Sequence, residues 1–284
     1  MMTDKKTLIA FFDVDGTLCD SGGEVLASSI EAIRTFRANG NLAYICTGRS
    51  KPEILANILA VGFDGVIGAG GGYITFGDTV LRHQKMPKEH VKEIVGFFEQ
   101  NDIGYYLESN DGLFRSSNCE QKIKEEIKKI AEQENESFDS LDAKMLWFHE
   151  LTAQYDNFPV NYDNVNKISF INNTLPFSDI ADRYGAVFHM YHSTVDLFGP
   201  ESGEIAVKGI DKQKAIEFIL GYLDMSKEQA IAFGDGDNDI AMFNAVNYGI
   251  AMANATEGLR AIAQEITTDA DHDGIALSLA KWNM

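Results

Sequence analysis

The chain has 284 residues, 45% of them hydrophobic and 24% charged, an ordinary globular composition that is long for one core and comfortable for two domains. Its 24 Lys and Arg stand against 43 Asp and Glu, and the resulting net charge of −19 argues against non-specific binding to nucleic acid or to anionic membranes. It argues equally against long-range steering of anionic substrates, so any site for an anion must create its own positive field locally.

The first element is an apolar run, Leu8 to Phe12, that reads as a strand buried on both faces, as in a parallel sheet. It meets Asp13 and Asp15 at once, followed by Gly16 and Thr17. Residues two apart on a strand share a face, and ligands of open α/β sheets bind at the carboxyl ends of the strands. Asp-Gly is also a common turn pair. A calcium loop does not fit, because Thr17 and Leu18 occupy the fifth and sixth loop positions.

Val25, Ile30, Ile33 and Phe36 then mark a helix face that Asn39-Gly40 ends, and Leu42 to Cys46 is a second buried strand. It delivers Thr47-Gly48-Arg49, after which Ser50 and Glu53 have capping-box spacing for another helix, with Pro52 in its first turn. Strand, helix, strand and helix in this order imply a right-handed βαβ unit, which places Thr47 to Arg49 on the same sheet edge as Asp13. The glycine-rich stretch from Gly62 to Gly77, with Gly70-Gly71-Gly72, lacks dinucleotide-fingerprint spacing; it reads as a turn or as a close backbone approach.

From about Met86 to His192 the texture changes. Lys88 to Phe98 has helical periodicity, and Ile103 to Ser109, Asn110-Asp111-Gly112 and Leu113 to Arg115 read as a hairpin. Glu120 to Glu136 reads as a charged helix with a solvated face, followed by a strand from Lys167 to Asn172, a short helix from Ile180 to Tyr184 and a strand from Val187 to Tyr191. This is a second α/β unit inserted into the first. The expected organisation is a core at 1–85 and 193–284, interrupted by a domain at 86–192.

The last third returns to the opening style. Ala206 to Lys212 leads into an amphipathic helix with Ala215, Ile216, Ile219 and Leu220 on its apolar side, with Lys208 near its start. A buried-strand run, Ala230 to Phe233, then meets Gly234-Asp235-Gly236-Asp237-Asn238-Asp239, a density of carboxylates that is costly to hold without a cation. Neither this segment nor Asp269 to Gly274 completes a calcium loop, since the twelfth positions are Val246 and Ala280. The cysteines, Cys19, Cys46 and Cys119, are odd in number and widely spaced, which fits a reducing compartment. The opening Met-Met-Thr-Asp-Lys-Lys lacks a signal peptide's apolar stretch, and no run approaches a membrane span, so a cytoplasmic location is expected.

Four patches, D-V-D-G-T at Asp13, T-G-R at Thr47, the Lys208 segment and G-D-G-D-N-D at Asp235, together resemble the motifs of the haloacid dehalogenase-like phosphohydrolases. The large insertion between Thr47 and Lys208 is similar to that of the Cof-type branch with its α/β cap; the glycine run at Gly70 departs from the Asn-Gly-Ala usual in that family. The resemblance implies a Rossmann-like parallel-sheet core with an inserted α/β cap that closes over the site, and Mg²⁺-dependent hydrolysis of small phosphomonoesters such as sugar, flavin or pyridoxal phosphates. Asp13 would be the nucleophile, forming an aspartyl-phosphate, and Asp15 the general acid and base. Thr47, Gly48 and Lys208 would hold the phosphate. Asp13, the Asp15 carbonyl, Asp235 and Asp239 would hold Mg²⁺, with Asn238 supporting them. Arg49, Tyr105, Tyr106, the Asn110 hairpin, His189 and His192 are the places to look for substrate selection. A phosphomutase would share every motif, and a non-catalytic phosphate- or metal-binding protein is the further alternative. Neither a nucleic-acid nor a membrane partner is expected, and oligomeric state is not legible.

Overall fold

The computed structural model describes residues 6–282. In chain order its strands are β1 (Ile9–Phe12), β2 (Leu42–Cys46), β3 (Gly65–Gly68), β4 (Tyr73–Phe76), β5 (Thr79–His83), β6 (Gly104–Ser109) and β7 (Gly112–Arg115). They continue with β8 (Val165–Ile171), β9 (Phe188–His192), β10 (Gly203–Val207), β11 (Ala230–Gly234), β12 (Tyr248–Ala251) and β13 (Glu265–Ile266). The described residues divide into two compact units, one built from residues 6–49, 54–83 and 210–282 and the other from 50–53 and 84–209.

The first unit is an eight-stranded sheet in the order β13-β12-β11-β1-β2-β3-β4-β5. Its strands run parallel from β13 through β3, and the β3–β4–β5 edge is antiparallel. Strand alternation separates two cores. Ile9 and Phe11 face a layer that includes Ile216 and Ile219 of the helix Lys212–Tyr222, while Ala10 and Phe12 face a layer with Ile33, Phe36 and Leu279. Helices therefore cover both faces, as the near-continuous apolar strands require. All four β1 residues are fully buried, and Phe12 stacks on Phe233 of β11 at 4.9 Å between ring centroids. Each such ring contributes roughly 1.5–3 kcal/mol on burial.

The second unit holds a five-stranded antiparallel sheet in the order β7-β6-β8-β10-β9. One face, including Leu107, Ile168, Phe170 and Ile205, packs against the helices Lys88–Gln100 and Phe177–Tyr184. The α/β architecture with an inserted α/β unit is thus as the sequence implied. Its far boundary is not: the expected core at 193–284 begins too early, because β10 pairs with β8 and β9 and extends the second unit to Gly209.

Several local readings are also corrected. Gly65 and its neighbours form β3, which the glycine content had concealed; a Cβ at Gly65 would lie 2.3 Å from the Tyr44 ring and 2.4 Å from the Thr75 carbonyl. The Ser50 amide bonds the Glu53 carboxylate as the capping-box spacing expects, but only the short turn Lys51–Glu53 follows, and the Ser50 hydroxyl donates to Glu108. The helix Cys119–Glu134 is not simply solvated, since Lys122 and Glu126 are buried and Lys122 reaches Asp102 at 2.6 Å. Two further helices, Phe138–Ala143 and Leu146–Ala153, follow it. Tyr105 and Tyr106 are buried core, with Tyr106 against Phe148 and Phe198. In the hairpin, Gly112 makes room for the Tyr155 ring, 2.4 Å from where a Cβ would stand.

The cost of crowding at Gly65 is measurable. Gly65→Ala is expected to lose about 1–3 kcal/mol in urea unfolding, the usual penalty for overpacking. An unchanged midpoint would show that Tyr44 yields without cost.

Candidate active site

Three neighbouring parallel strands bring the site together. β1 delivers Asp13, β2 delivers Thr47 and β11 delivers Asp235, all at carboxyl ends of one sheet. The Asp13 amide bonds the Phe233 carbonyl at 3.0 Å, continuing the ladder one step beyond β1. The chain then turns: the Val14 carbonyl accepts the amides of Leu18 and Cys19 at 3.0 and 2.9 Å. Gly16 sits at φ +75°, and a Cβ there would come within 2.4 Å of Asp235 Oδ2, so only glycine lets this turn close on Asp235. The buried Thr17 hydroxyl donates to Asp235 Oδ1 at 2.7 Å.

Lys212 stands at the centre. It is the first residue of the helix Lys212–Tyr222, whose preceding Asp211 caps it by accepting the Lys214 amide at 2.7 Å. Its ammonium is 3% exposed and donates to Asp13 Oδ1 and Asp239 Oδ1, both at 2.6 Å. Burial works against that charge, but Asp13 and Asp239 hold its pKa above the ordinary lysine range. Burial and the Asp239 charge push the Asp13 carboxyl upward, against the pull of Lys212. Burial likewise pushes Asp235 up to about 6, with the Thr17 hydroxyl opposing it.

The glycine run contributes to this arrangement. Gly71, at φ +111°, would place a Cβ 2.5 Å from the Asp211 carbonyl, so the backbone approach allows the Lys212 helix to start where it does. The amides of Ala69 and Gly70 also bond the Arg49 and Thr47 carbonyls, at 2.8 and 3.1 Å.

Oxygens of Asp13, Asp235 and Asp239 all lie within 4.8 Å of one another. Three carboxylates against one ammonium leave an excess of buried negative charge, and their hard oxygen donors fit a small divalent cation. They are not equivalent. Asp239, fully buried, already accepts from Lys212 on one oxygen and from the Asp235 and Gly236 amides, each at 3.0 Å, on the other. It orients the loop and the lysine, and a Cβ at Gly234 would collide with it at 2.7 Å. Asp13 and Asp235 retain more capacity for a metal. Asn238 is exposed.

Other expected residues fall as follows. Asp15 is exposed and held by Arg49 in a two-pronged salt bridge, Nη2 to Oδ1 at 2.6 Å and Nε to Oδ2 at 3.0 Å. Thr47 is buried, and its hydroxyl oxygen accepts the Arg49 amide at 3.1 Å. The Gly48 amide has no hydrogen-bond partner among the described residues. Lys208 is a correction: its ammonium binds the Gly185 and Ala186 carbonyls in the second unit, and the lysine that meets Asp13 is Lys212. The missed signal was helical phase, because Lys212 lies on the inward stripe of Ala215, Ile216 and Ile219. Asn254 was also missed. Its amide donates to the Gly16 carbonyl and to Asp235 Oδ2, both at 3.1 Å, and no pattern in the sequence marks it.

Replacing Lys212 with Met leaves Asp13 and Asp239 buried without a cation. Lys212→Met is expected to cost about 3–5 kcal/mol in urea unfolding with a chelator present. A loss below about 1 kcal/mol would mean that the carboxylates reach water once the ammonium is gone.

The chain is similar to known proteins over nearly its whole length. "Phosphatase YwpJ" of Bacillus subtilis is 24% identical over 93% of this chain and 95% of its own. "Pyridoxal phosphate phosphatase YbhA" of Escherichia coli is 25% identical over 95% of this chain and 96% of its own. A crystal structure of a protein from Geobacillus kaustophilus HTA426 superposes with a TM-score of 0.79 at 23% identity, covering 98% of this chain and 99% of that one. The family model described as haloacid dehalogenase-like hydrolase matches residues 10–279. With the buried aspartate cluster in place, the chain belongs to the haloacid dehalogenase-like hydrolases and is an enzyme of hydrolase type.

Proposed function

We propose that the protein is a Mg²⁺-dependent phosphatase of the Cof-type branch, hydrolysing small phosphomonoesters through an aspartyl-phosphate on Asp13. The observation that carries the reading is the buried Asp13 carboxylate with Lys212 on one oxygen and Asp235 beside it. A carboxylate attacks phosphorus only where the charge on the phosphoryl oxygens is countered. On a chain of net charge −19 that counter-charge has to be local. The likeness to phosphatases of Bacillus subtilis and Escherichia coli, one of them named for pyridoxal phosphate, supports a small phosphomonoester as substrate.

In this reading Lys212 takes the counter-charge role first expected of Lys208, and fixes Asp13 through Oδ1, leaving Oδ2 to attack in line. The new Oδ–P bond forms as the bond from phosphorus to the leaving oxygen breaks. Asp15 gives that oxygen its proton, then accepts one from the water that cleaves the acyl phosphate and regenerates Asp13. Arg49 occupies both Asp15 oxygens, so this pair opens for Asp15 to reach a substrate. Thr47 and the unpartnered Gly48 amide hold the transferring group. Mg²⁺ would be held by Asp13, the Asp15 carbonyl and Asp235, with Asp239 and Asn238 supporting; when bound it supplies charge neutralisation at the phosphoryl oxygens.

Phosphate release from a panel of phosphomonoesters, with and without EDTA, tests the reaction class. Wild-type protein is expected to release phosphate only with Mg²⁺, and Asp13→Asn to retain the fold but lose at least about 10³-fold in kcat. Near-normal turnover in Asp13→Asn would overturn the mechanism, and no release from any substrate would overturn the reading. Asn254→Ala removes a hydrogen bond that aims Asp235; it is expected to raise the Mg²⁺ concentration for half-maximal activity about 10-fold or more. An unmoved Mg²⁺ titration would leave Asn254 as a structural residue of the Gly16 turn.

A further inference from the structure

Residues Ser50 to Glu53 follow directly on the Thr47-Gly48-Arg49 loop, yet by their packing they belong to the second unit, while the chain on either side belongs to the first. Ser50 is fully buried. Its amide donates to Glu53 Oε2 at 2.8 Å, one half of a capping box. The Ser50 hydroxyl donates to Glu108 Oε2 at 2.8 Å, a partner 58 residues away on β6. Glu108 is 1% exposed, and its other oxygen accepts the Ser169 hydroxyl at 2.6 Å and pairs with Lys167 at 3.2 Å. Lys167 also reaches Glu204 at 2.9 Å. A carboxylate buried this deeply is expensive to keep, and an apolar residue would fill the same position on a sheet more cheaply. Lys167 and Ser169 occupy one of the Glu108 oxygens, and the other accepts from Ser50.

We propose that Glu108 is a positioning residue for the Thr47–Arg49 loop, acting through its hydrogen bond to the Ser50 hydroxyl. The inference rests on the reading of Thr47 and Gly48 as phosphate-holding groups. The connection is short. The Arg49 amide, one residue before Ser50, donates to the Thr47 hydroxyl oxygen, and the Arg49 guanidinium holds Asp15. A shift of Ser50 therefore moves the atoms that aim both Thr47 and Asp15. The bond fixes Ser50 within its own unit, and Thr47 to Arg49 precede Ser50 directly in the chain. Misplacement of such a group by about an ångström costs up to 10²-fold in rate.

Two measurements on Ser50→Ala, Glu108→Ala and Glu108→Gln test this. Lys167 keeps Glu204 as a partner in every variant, so no charge is left without one. First, amide hydrogen exchange of the segment Cys46–Ile54 is followed in protein without substrate, with the urea midpoint as the measure of global stability. Exchange is expected to quicken about 10-fold or more in Ser50→Ala and Glu108→Ala beyond any change in the midpoint, and to stay near wild type in Glu108→Gln, which keeps an acceptor for Ser50. Second, kcat for a phosphomonoester is expected to fall at least about 10-fold in the two alanine variants, and inorganic phosphate to inhibit them more weakly. The double variant Ser50→Ala/Glu108→Ala is expected to be no worse than either single one, because both remove the same bond.

Unchanged exchange in the folded alanine variants would overturn the clasp, as would losses in kcat that simply add. If wild-type protein releases no phosphate, the functional reading fails, and exchange alone decides whether Glu108 holds the loop.

Discussion

One buried ammonium holds the centre of this molecule. Lys212 bridges Asp13 and Asp239 at equal distances, and each of those carboxylates then organises something larger. Asp13 ends the central strand of the eight-stranded sheet. Asp239 folds the loop after β11 by accepting two of its amides, which aims Asp235 toward Asp13. Removing water from three charges is costly and is offset only where geometry and hydrogen bonding are good, as they are here. Around that requirement sit the glycines, each where a neighbour comes too close for a side chain: Gly16 against Asp235, Gly234 against Asp239 and Gly71 against the start of the lysine's helix.

The readable parts of this arrangement were those that follow from one-dimensional pattern. Asp13 and Asp235 come directly after runs of buried-strand residues, so the same rule that finds the strand places the carboxylate at its end. The helix Ala27–Ala38 and its stop at Gly40, with φ +86°, were legible for the same reason. Lys208 and Lys212 both stand near one helix start, and proximity to the motif does not separate them; the phase of the apolar stripe does, since it turns Lys212 inward. Asn254 was out of reach because its partners, Gly16 and Asp235, are 238 and 19 residues away, and a lone amide has no period. β3 was hidden because its glycine is there for the Tyr44 ring, a contact that no local propensity encodes.

The second unit follows the opposite logic to the first. Its sheet is apolar on the face covered by two helices, but at Glu108, Lys167, Ser169 and Glu204 it carries charges and hydroxyls that are hydrogen-bonded to one another. These residues alternate with the core positions Leu107, Ile168 and Ile205 along the same strands, so register alone assigns them to the other face. The sequence signalled a strand here but not that its polar half would be buried. Burial of that kind comes from what packs on it, including the Ser50–Glu53 segment drawn from elsewhere in the chain.

The order of the central strands has a consequence for how the chain comes to be folded. β1 lies between β2 and β11, and its partner on one side is about thirty residues away while the other begins at Ala230. As a chain emerges during synthesis, β1 has one edge without a partner until Ala230 is reached, just over four-fifths of the way along these 284 residues. The inserted unit, whose strands find one another within residues 104–207, is complete before that edge is filled. An apolar strand left open in this way is a site for pairing with the wrong chain. Asp13 at its tip, without Lys212 to neutralise it, puts an unpaired charge at the end of that edge. A charge at the tip of an open edge disfavours pairing with a second chain.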